Sequence, residues 1–136
     1  MKKISQAIVI LSMMLISCSK KGEVKDYSDS LLLGTWSYSF YENDLTIYTR
    51  TPDFIESDGI KFKADGTLLQ RKNAGWCGTP PITYADYDGT WSQINDTIIE
   101  IKAPYWGGTT TSKLDIEYVS EYTLKFITLS SESVPF

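Results

Sequence analysis

The sequence predicts an all-β fold, an up-and-down meander barrel of about eight short strands placed after a cleaved leader. Three observations predict it. Strand-type alternation recurs along residues 31–136, no window of helical period there outlasts a turn or two, and the alternating runs are separated mostly by short turn-forming strings. A stretch of that length is the size of one domain.

The elements follow in order. In Gly34-Thr35-Trp36-Ser37-Tyr38-Ser39-Phe40 every second residue is large and aromatic while Thr or Ser stands between, so one face belongs to a core and the other to water. Residues 45–50 form the second run. A loop through Pro52 to Gly59 leads to Ile60-Lys61-Phe62-Lys63, and Ala64-Asp65-Gly66 turns the chain into a fourth strand over 67–71, with Gly66 supplying the positive φ of a tight reversal. Residues 72–83 carry Gly75, Gly78, Pro80 and Pro81, and proline cannot donate to a sheet ladder, so this segment is a loop. The fifth strand, 84–92, sets Ala85, Tyr87, Gly89 and Trp91 on one face and Asp86, Asp88, Thr90 and Ser92 on the other. Asn95-Asp96 turns it into a sixth strand over 97–102, and 103–110 is expected to be a loop. The seventh strand, 112–119, points Leu114, Ile116 and Tyr118 inward, and Ser120-Glu121 turns it into the eighth, 122–129. Gly-Thr-Trp-Ser occurs twice, at 34–37 and 89–92; in each copy the glycine permits a close approach while the indole fills a barrel end.

Ahead of the domain, Met1-Lys2-Lys3 is a positive head and residues 4–16 are almost entirely apolar, the layout of a secretory signal peptide and too short for a membrane span. The tetrad Leu15-Ile16-Ser17-Cys18 resembles the lipobox of bacterial lipoproteins. That resemblance implies a signal peptide over 1–17, acylation of Cys18 and a membrane-anchored protein of the cell envelope. Ser19 after the cysteine goes with the outer membrane in that family. Residues 18–30 then comprise the lipidated cysteine and a polar tether in which three Lys face Glu23, Asp26 and Asp29. As a flexible coil it reaches roughly 20 Å.

Charge and composition remove several classes of function. The chain has 13 basic against 17 acidic residues, and loss of Lys2 and Lys3 with the leader widens the excess. Nucleic acid is not an expected partner, because phosphate binding rests on clustered Lys and Arg. There is no histidine, which removes the commonest metal ligand and general base together. With Cys18 acylated, Cys77 has no partner for an internal disulfide and is expected to be a half-buried, small apolar residue.

The strings Leu33-Gly34-Thr35-Trp36, Ile60-Lys61-Phe62-Lys63-Ala64-Asp65-Gly66-Thr67, Gly89-Thr90-Trp91-Ser92 with Asn95-Asp96-Thr97-Ile98, and Tyr122-Thr123-Leu124-Lys125-Phe126 come in an order that resembles bacterial lipocalin-like lipoprotein domains, small calycin-type barrels. The resemblance implies a container for a small apolar or amphipathic ligand. Two departures stand out: the Thr-Asp-Tyr turn of lipocalins has no equivalent, and no Arg near the last strand is placed to pack on Trp36.

Candidate chemistry is sparse. Asp86-x-Asp88-Gly89 is a fragment of a calcium loop without the remaining oxygen ligands, and the strand pattern already accounts for both carboxylates, so no metal and no cofactor are expected. Nothing resembling a nucleophile turn or a phosphate loop appears, so the chain is not expected to be an enzyme. The ligand-contacting set is Trp36, Tyr38, Phe40, Phe62, Tyr87, Trp91, Trp106, Tyr118 and Phe126. These side chains either line a cavity or fill the middle of a small barrel. Trp76, Tyr105 and Trp106 fall in glycine-containing loops, where they form a platform at the mouth or fold back as a plug. The alternative to a container is a solid barrel, an envelope interaction module whose loops contact another protein.

Overall fold

The structure, a computed structural model, describes residues 30–136; the leader, the tether and Cys18 lie outside the described residues. Eight strands form: β1 (Gly34–Glu42), β2 (Leu45–Arg50), β3 (Gly59–Phe62), β4 (Thr67–Asn73), β5 (Tyr84–Gln93), β6 (Ile98–Tyr105), β7 (Gly108–Val119) and β8 (Thr123–Pro135). They close into an all-antiparallel up-and-down barrel. Closure leaves no sheet edge in the ring open to pairing with another chain.

From β3 to β8 each strand pairs with the next. The first hairpin closes the ring with its strands exchanged, so that β1 lies between β2 and β3 while β2 pairs with β8. The chain leaves β2 opposite Trp36 and begins β3 opposite Ser37, so residues 51–58 must pass across β1. They pass along its outer face as a strap. Ser37 Oγ lies 2.8 Å from Thr51 Oγ1, Thr51 N–H donates to the Thr35 carbonyl, and Tyr38 N–H donates to the Asp58 carbonyl. This is why Thr35 and Ser37, polar and facing outward, are nevertheless buried.

Inside, Leu32, Trp36, Ile60, Phe62, Leu68, Trp91, Ile99, Leu114, Ile116, Leu124 and Phe126 belong to one core cluster. Each large side chain so buried contributes on the order of 1.5–3 kcal/mol of transfer free energy. The core sits toward the end where the chain enters. There the turn at 30–33 seals the barrel: Leu32 has no exposed surface, its carbonyl accepts from Trp36 Nε1 at 2.8 Å, and Leu33 N–H donates to the Ser30 carbonyl.

Two of the three register shifts in the barrel correct the expected pattern. Pairing shifts between Tyr38 and Phe40, so Ser39 is the extra residue and Phe40 stands opposite Ile47. Because Tyr48 and Thr46, on either side of Ile47, face the interior, Phe40 faces out and is 50 % exposed. In β7 the shift between Ile116 and Tyr118 turns Tyr118 outward, opposite Lys125, whose ammonium lies 5.7 Å from its ring centre. Simple alternation carried both residues inward; one inserted residue in each strand reverses them.

The expected loop at 103–110 is a hairpin instead. β6 runs to Tyr105, only Trp106 and Gly107 turn it, and β7 begins at Gly108, while β8 continues beside β7 to the Gly108↔Pro135 pair. Pro104 is accommodated because β6 has by then left β5: their pairing ends at Thr90↔Lys102, and a proline on a free edge removes no ladder bond on that side. The result is a three-stranded tongue that extends one wall of the barrel beyond the end opposite the N-terminal seal.

Candidate functional site

The two Gly-Thr-Trp-Ser strings serve the sealed end. Gly34 has φ +113°, and a side chain there would run into the Arg50 guanidinium; at Gly89 it would meet the Lys102 carbonyl and Ala103. Trp91 donates its indole N–H to the Lys63 carbonyl at 2.9 Å, the counterpart of the Trp36 bond, and Phe62 packs edge-on against it with ring centres 5.5 Å apart. Trp36, Phe62 and Trp91 are therefore packing residues of this end. No Arg of the last strand packs on Trp36; Arg50, from β2, covers it instead. Its guanidinium lies 4.1 Å from the Trp36 ring centre and donates to the carbonyls of Leu31, Leu33 (2.7 Å) and Glu121 (2.7 Å). Burial lowers its proton affinity below the usual arginine value, with the Glu121 charge acting in the opposite direction.

At the other end the interior opens. A cavity of about 280 Å³ lies among Tyr38, Tyr48, Asp58, Gln70, Ser112 and Phe126. A second, of about 350 Å³, shares Asp58 with it and continues to Lys72, Tyr105, Trp106, Thr110 and Ser133 at the mouth. Alternation explains the lining: Gln70 and Lys72 fall on the same face of β4 as the core residue Leu68, and Tyr87 joins that face by pairing with Gln70. The tongue contributes hydroxyls on its inner side, paired across strands as Ser112 with Ser131 at 3.0 Å and Thr110 with Ser133 at 3.2 Å. Tyr48 is flanked edge-on by Tyr38 and Phe126, at 5.9 and 5.4 Å between ring centres.

Three polar groups on this cavity have no hydrogen-bond partner among the described residues: the Tyr48 hydroxyl, the Asp58 carboxylate and the Lys72 ammonium. Tyr48 is only 7 % exposed, and buried hydroxyls ordinarily have a partner. Its hydroxyl is pushed well above the usual tyrosine range, first by burial and then by the Asp58 charge. Asp58 is exposed toward the cavity, yet the surrounding protein raises its carboxyl above the ordinary value, with Lys72 pulling the other way. Burial lowers the Lys72 ammonium, with Asp58 opposing, and its nitrogen lies 5.9 Å from the Tyr105 ring centre. Asp58 and Lys72 make no direct ion pair; Arg71 and Asp86 do, at 2.7 and 2.9 Å on the outer face.

Of the residues expected to contact a ligand, Tyr38, Phe126 and Trp106 line the cavities, Tyr87 faces inward beside them, Trp36, Phe62 and Trp91 fill the sealed end, and Phe40 and Tyr118 face out. Tyr105 and Trp106 meet edge-on at 5.8 Å at the mouth, whereas Trp76 in the loop 74–83 is 80 % exposed. Tyr48, Asp58, Gln70 and Lys72 were not among the expected contacts. The period of two that puts Leu68 in the core also puts Gln70 and Lys72 beside it, and that was the available signal. Cys77 is exposed and not half-buried; hydrogen bonds from Thr79 lower its thiol below the ordinary range. Among the described residues no three Cys, Asp or Glu side chains converge as metal ligands.

Compared with protein-family models, with curated proteins and with solved structures, the chain finds no match. The eight-stranded closed barrel is compatible with a lipocalin-like fold.

Proposed function

We propose that this chain is a lipid-anchored, non-catalytic protein of the bacterial cell envelope whose lipocalin-like barrel holds a small amphipathic molecule at its open end. The anchor rests on Leu15-Ile16-Ser17-Cys18 at the end of a signal-type segment, and Ser19 supports the outer membrane as its address. One observation carries the binding function: a cavity lined both by apolar Ile101, Leu114 and Phe126 and by polar Tyr48, Asp58 and Gln70, behind a mouth edged by Tyr105 and Trp106. Its volume falls at the lower bound of ligand pockets, roughly 300–1,000 Å³, which favours a compact guest over a long acyl chain.

All barrel pairing lies within residues 30–136, so a domain starting at Ser30 is suited to a titration with anilinonaphthalene sulfonate. Saturable emission enhancement at one site, abolished by Ser112→Trp, which fills the cavity, is the expected result. Absence of saturable binding in the folded domain overturns the container. For the anchor, Cys18→Ser is expected to leave an unlipidated precursor in the soluble fraction, and unchanged membrane attachment contradicts it. The exposed Trp76 supports a second reading, contact with another envelope protein through the loop 74–83. Loss of one specific co-purifying partner on Trp76→Ala, with dye binding absent, favours that reading.

A further inference from the structure

We propose that the open-end cavity takes a small zwitterion, its cationic group at Asp58 and its anionic group at Lys72. The proposal rests on the container reading and adds the charge of the guest. Asp58 and Lys72 line the same cavity with opposite charges, form no ion pair, and their charged groups find no hydrogen-bond partner among the described residues. The two charges feel each other across the cavity, Lys72 lowering the Asp58 carboxyl and Asp58 raising the Lys72 ammonium against the opposite effect of burial, yet no ion pair joins them. Here the chain had a ready alternative, because Arg71 and Asp86 one strand apart form a two-pronged ion pair on the outer face.

The sign of the guest follows by elimination. A simple anion would satisfy Lys72 but bring like charge toward Asp58, and a simple cation would do the reverse. A neutral guest could hydrogen-bond both groups but would neutralise neither charge. A molecule carrying an amine and an anionic group on one short scaffold neutralises both and adds no net charge to the cavity. Tyr48 supplies the third contact: its buried hydroxyl, which feels the Asp58 charge, has no partner within the protein. The hydroxyls of the tongue are less demanding, since Ser112 with Ser131 and Thr110 with Ser133 already bond each other. The edge-on Tyr105 and Trp106 rings offer an apolar surface to whatever side group the zwitterion carries. Two sources share this chemistry, a free α-amino acid and the phosphoethanolamine group of a lipid.

Calorimetric titration of the full chain in phosphatidylglycerol nanodiscs, with empty discs as blank, separates the cases. The probes are L-phenylalanine, its single-charge relatives phenethylamine and phenylpropanoate, and glycerophosphoethanolamine, whose phosphodiester carries one negative charge as in a lipid. At least one zwitterion is expected to bind about tenfold or more tightly than either single-charge compound. Asp58→Asn and Lys72→Gln, each verified as folded by its melting transition, are expected to erase that preference. Preference for L-phenylalanine identifies an amino acid guest, and preference for glycerophosphoethanolamine a headgroup. If a single-charge compound binds as well as both zwitterions, or if none of the four binds while anilinonaphthalene sulfonate still does, the charge assignment falls and the container stands. If the dye also fails, both fall.

Discussion

At the sealed end of the barrel the polar groups that burial would strand have partners: Trp36 and Trp91 donate to the Leu32 and Lys63 carbonyls, and Arg50 serves three further carbonyls. At the open end, the Tyr48 hydroxyl, the Asp58 carboxylate and the Lys72 ammonium have no hydrogen-bond partner among the described residues. Both ends are lined by aromatic rings on the same alternating strands, so ring content alone does not separate packing from binding. Satisfaction of polar groups does. A region organised for stability leaves no polar group idle, whereas one organised to receive a guest leaves the guest's partners unoccupied.

The contrast is sharpest under substitution. Trp36→Ala empties the sealed end and is expected to cost about 3–5 kcal/mol in denaturant unfolding. A cost below about 1 kcal/mol would show that this end is not the stability centre. Arg50→Met removes the donor to three carbonyls and the stack over Trp36, and a loss of about 1–3 kcal/mol is expected.

The open end should respond with the opposite sign. Folding raises the Asp58 carboxyl above its ordinary value of 3.8, so between that value and the folded one the native state binds more protons than the unfolded chain. This group therefore lowers stability as pH rises through that window and favours the fold as pH falls. Lys72, Tyr48 and Tyr38 face it across the cavity. Because Asp65 and Asp86 are depressed by their own hydrogen-bond partners and act in the other direction, the test is the difference between wild type and Asp58→Asn. The wild type is expected to fall behind the variant as pH rises from acid to neutral in thermal melts at several pH values. Equal pH profiles would contradict it. Phe40→Ala and Tyr118→Ala, on the outer face, are expected to shift stability least, by about 0.5 kcal/mol or less, and to leave dye affinity unchanged. A large loss of affinity in either would place that ring at the cavity after all.

Most of the fold was legible because alternation with polar partners reports a two-faced strand directly. Each of the eight strands overlaps the run the pattern assigned to it, with β6, β7 and β8 extended into the tongue, and the Asn95-Asp96 and Ala64-Asp65-Gly66 turns fall between strands as expected. What alternation could not show was the insertion of Ser39 and Glu117, each of which reverses the face of the next residue without altering composition. The tongue was hidden for a different reason: Pro104, Gly107 and Gly108 carry the chemistry of a loop, and residues 130–133 alternate no apolar side chain. Its inner face is hydroxylic, so a search for hydrophobic period passes over it. The exchange of the first hairpin is also absent from the pattern, since the crossing at 51–58 depends on which edge of β1 remained free.

Replacing the four tryptophans by fluorotryptophan would report on both ends of the full chain in one fluorine spectrum. On titration with anilinonaphthalene sulfonate, the resonance of Trp106 at the mouth is expected to move, while those of Trp36 and Trp91 behind the seal stay in place. Movement of Trp36 or Trp91 with Trp106 unchanged would mean that the guest enters at the end described here as closed, and the division of the barrel into a packed half and a receiving half would be wrong.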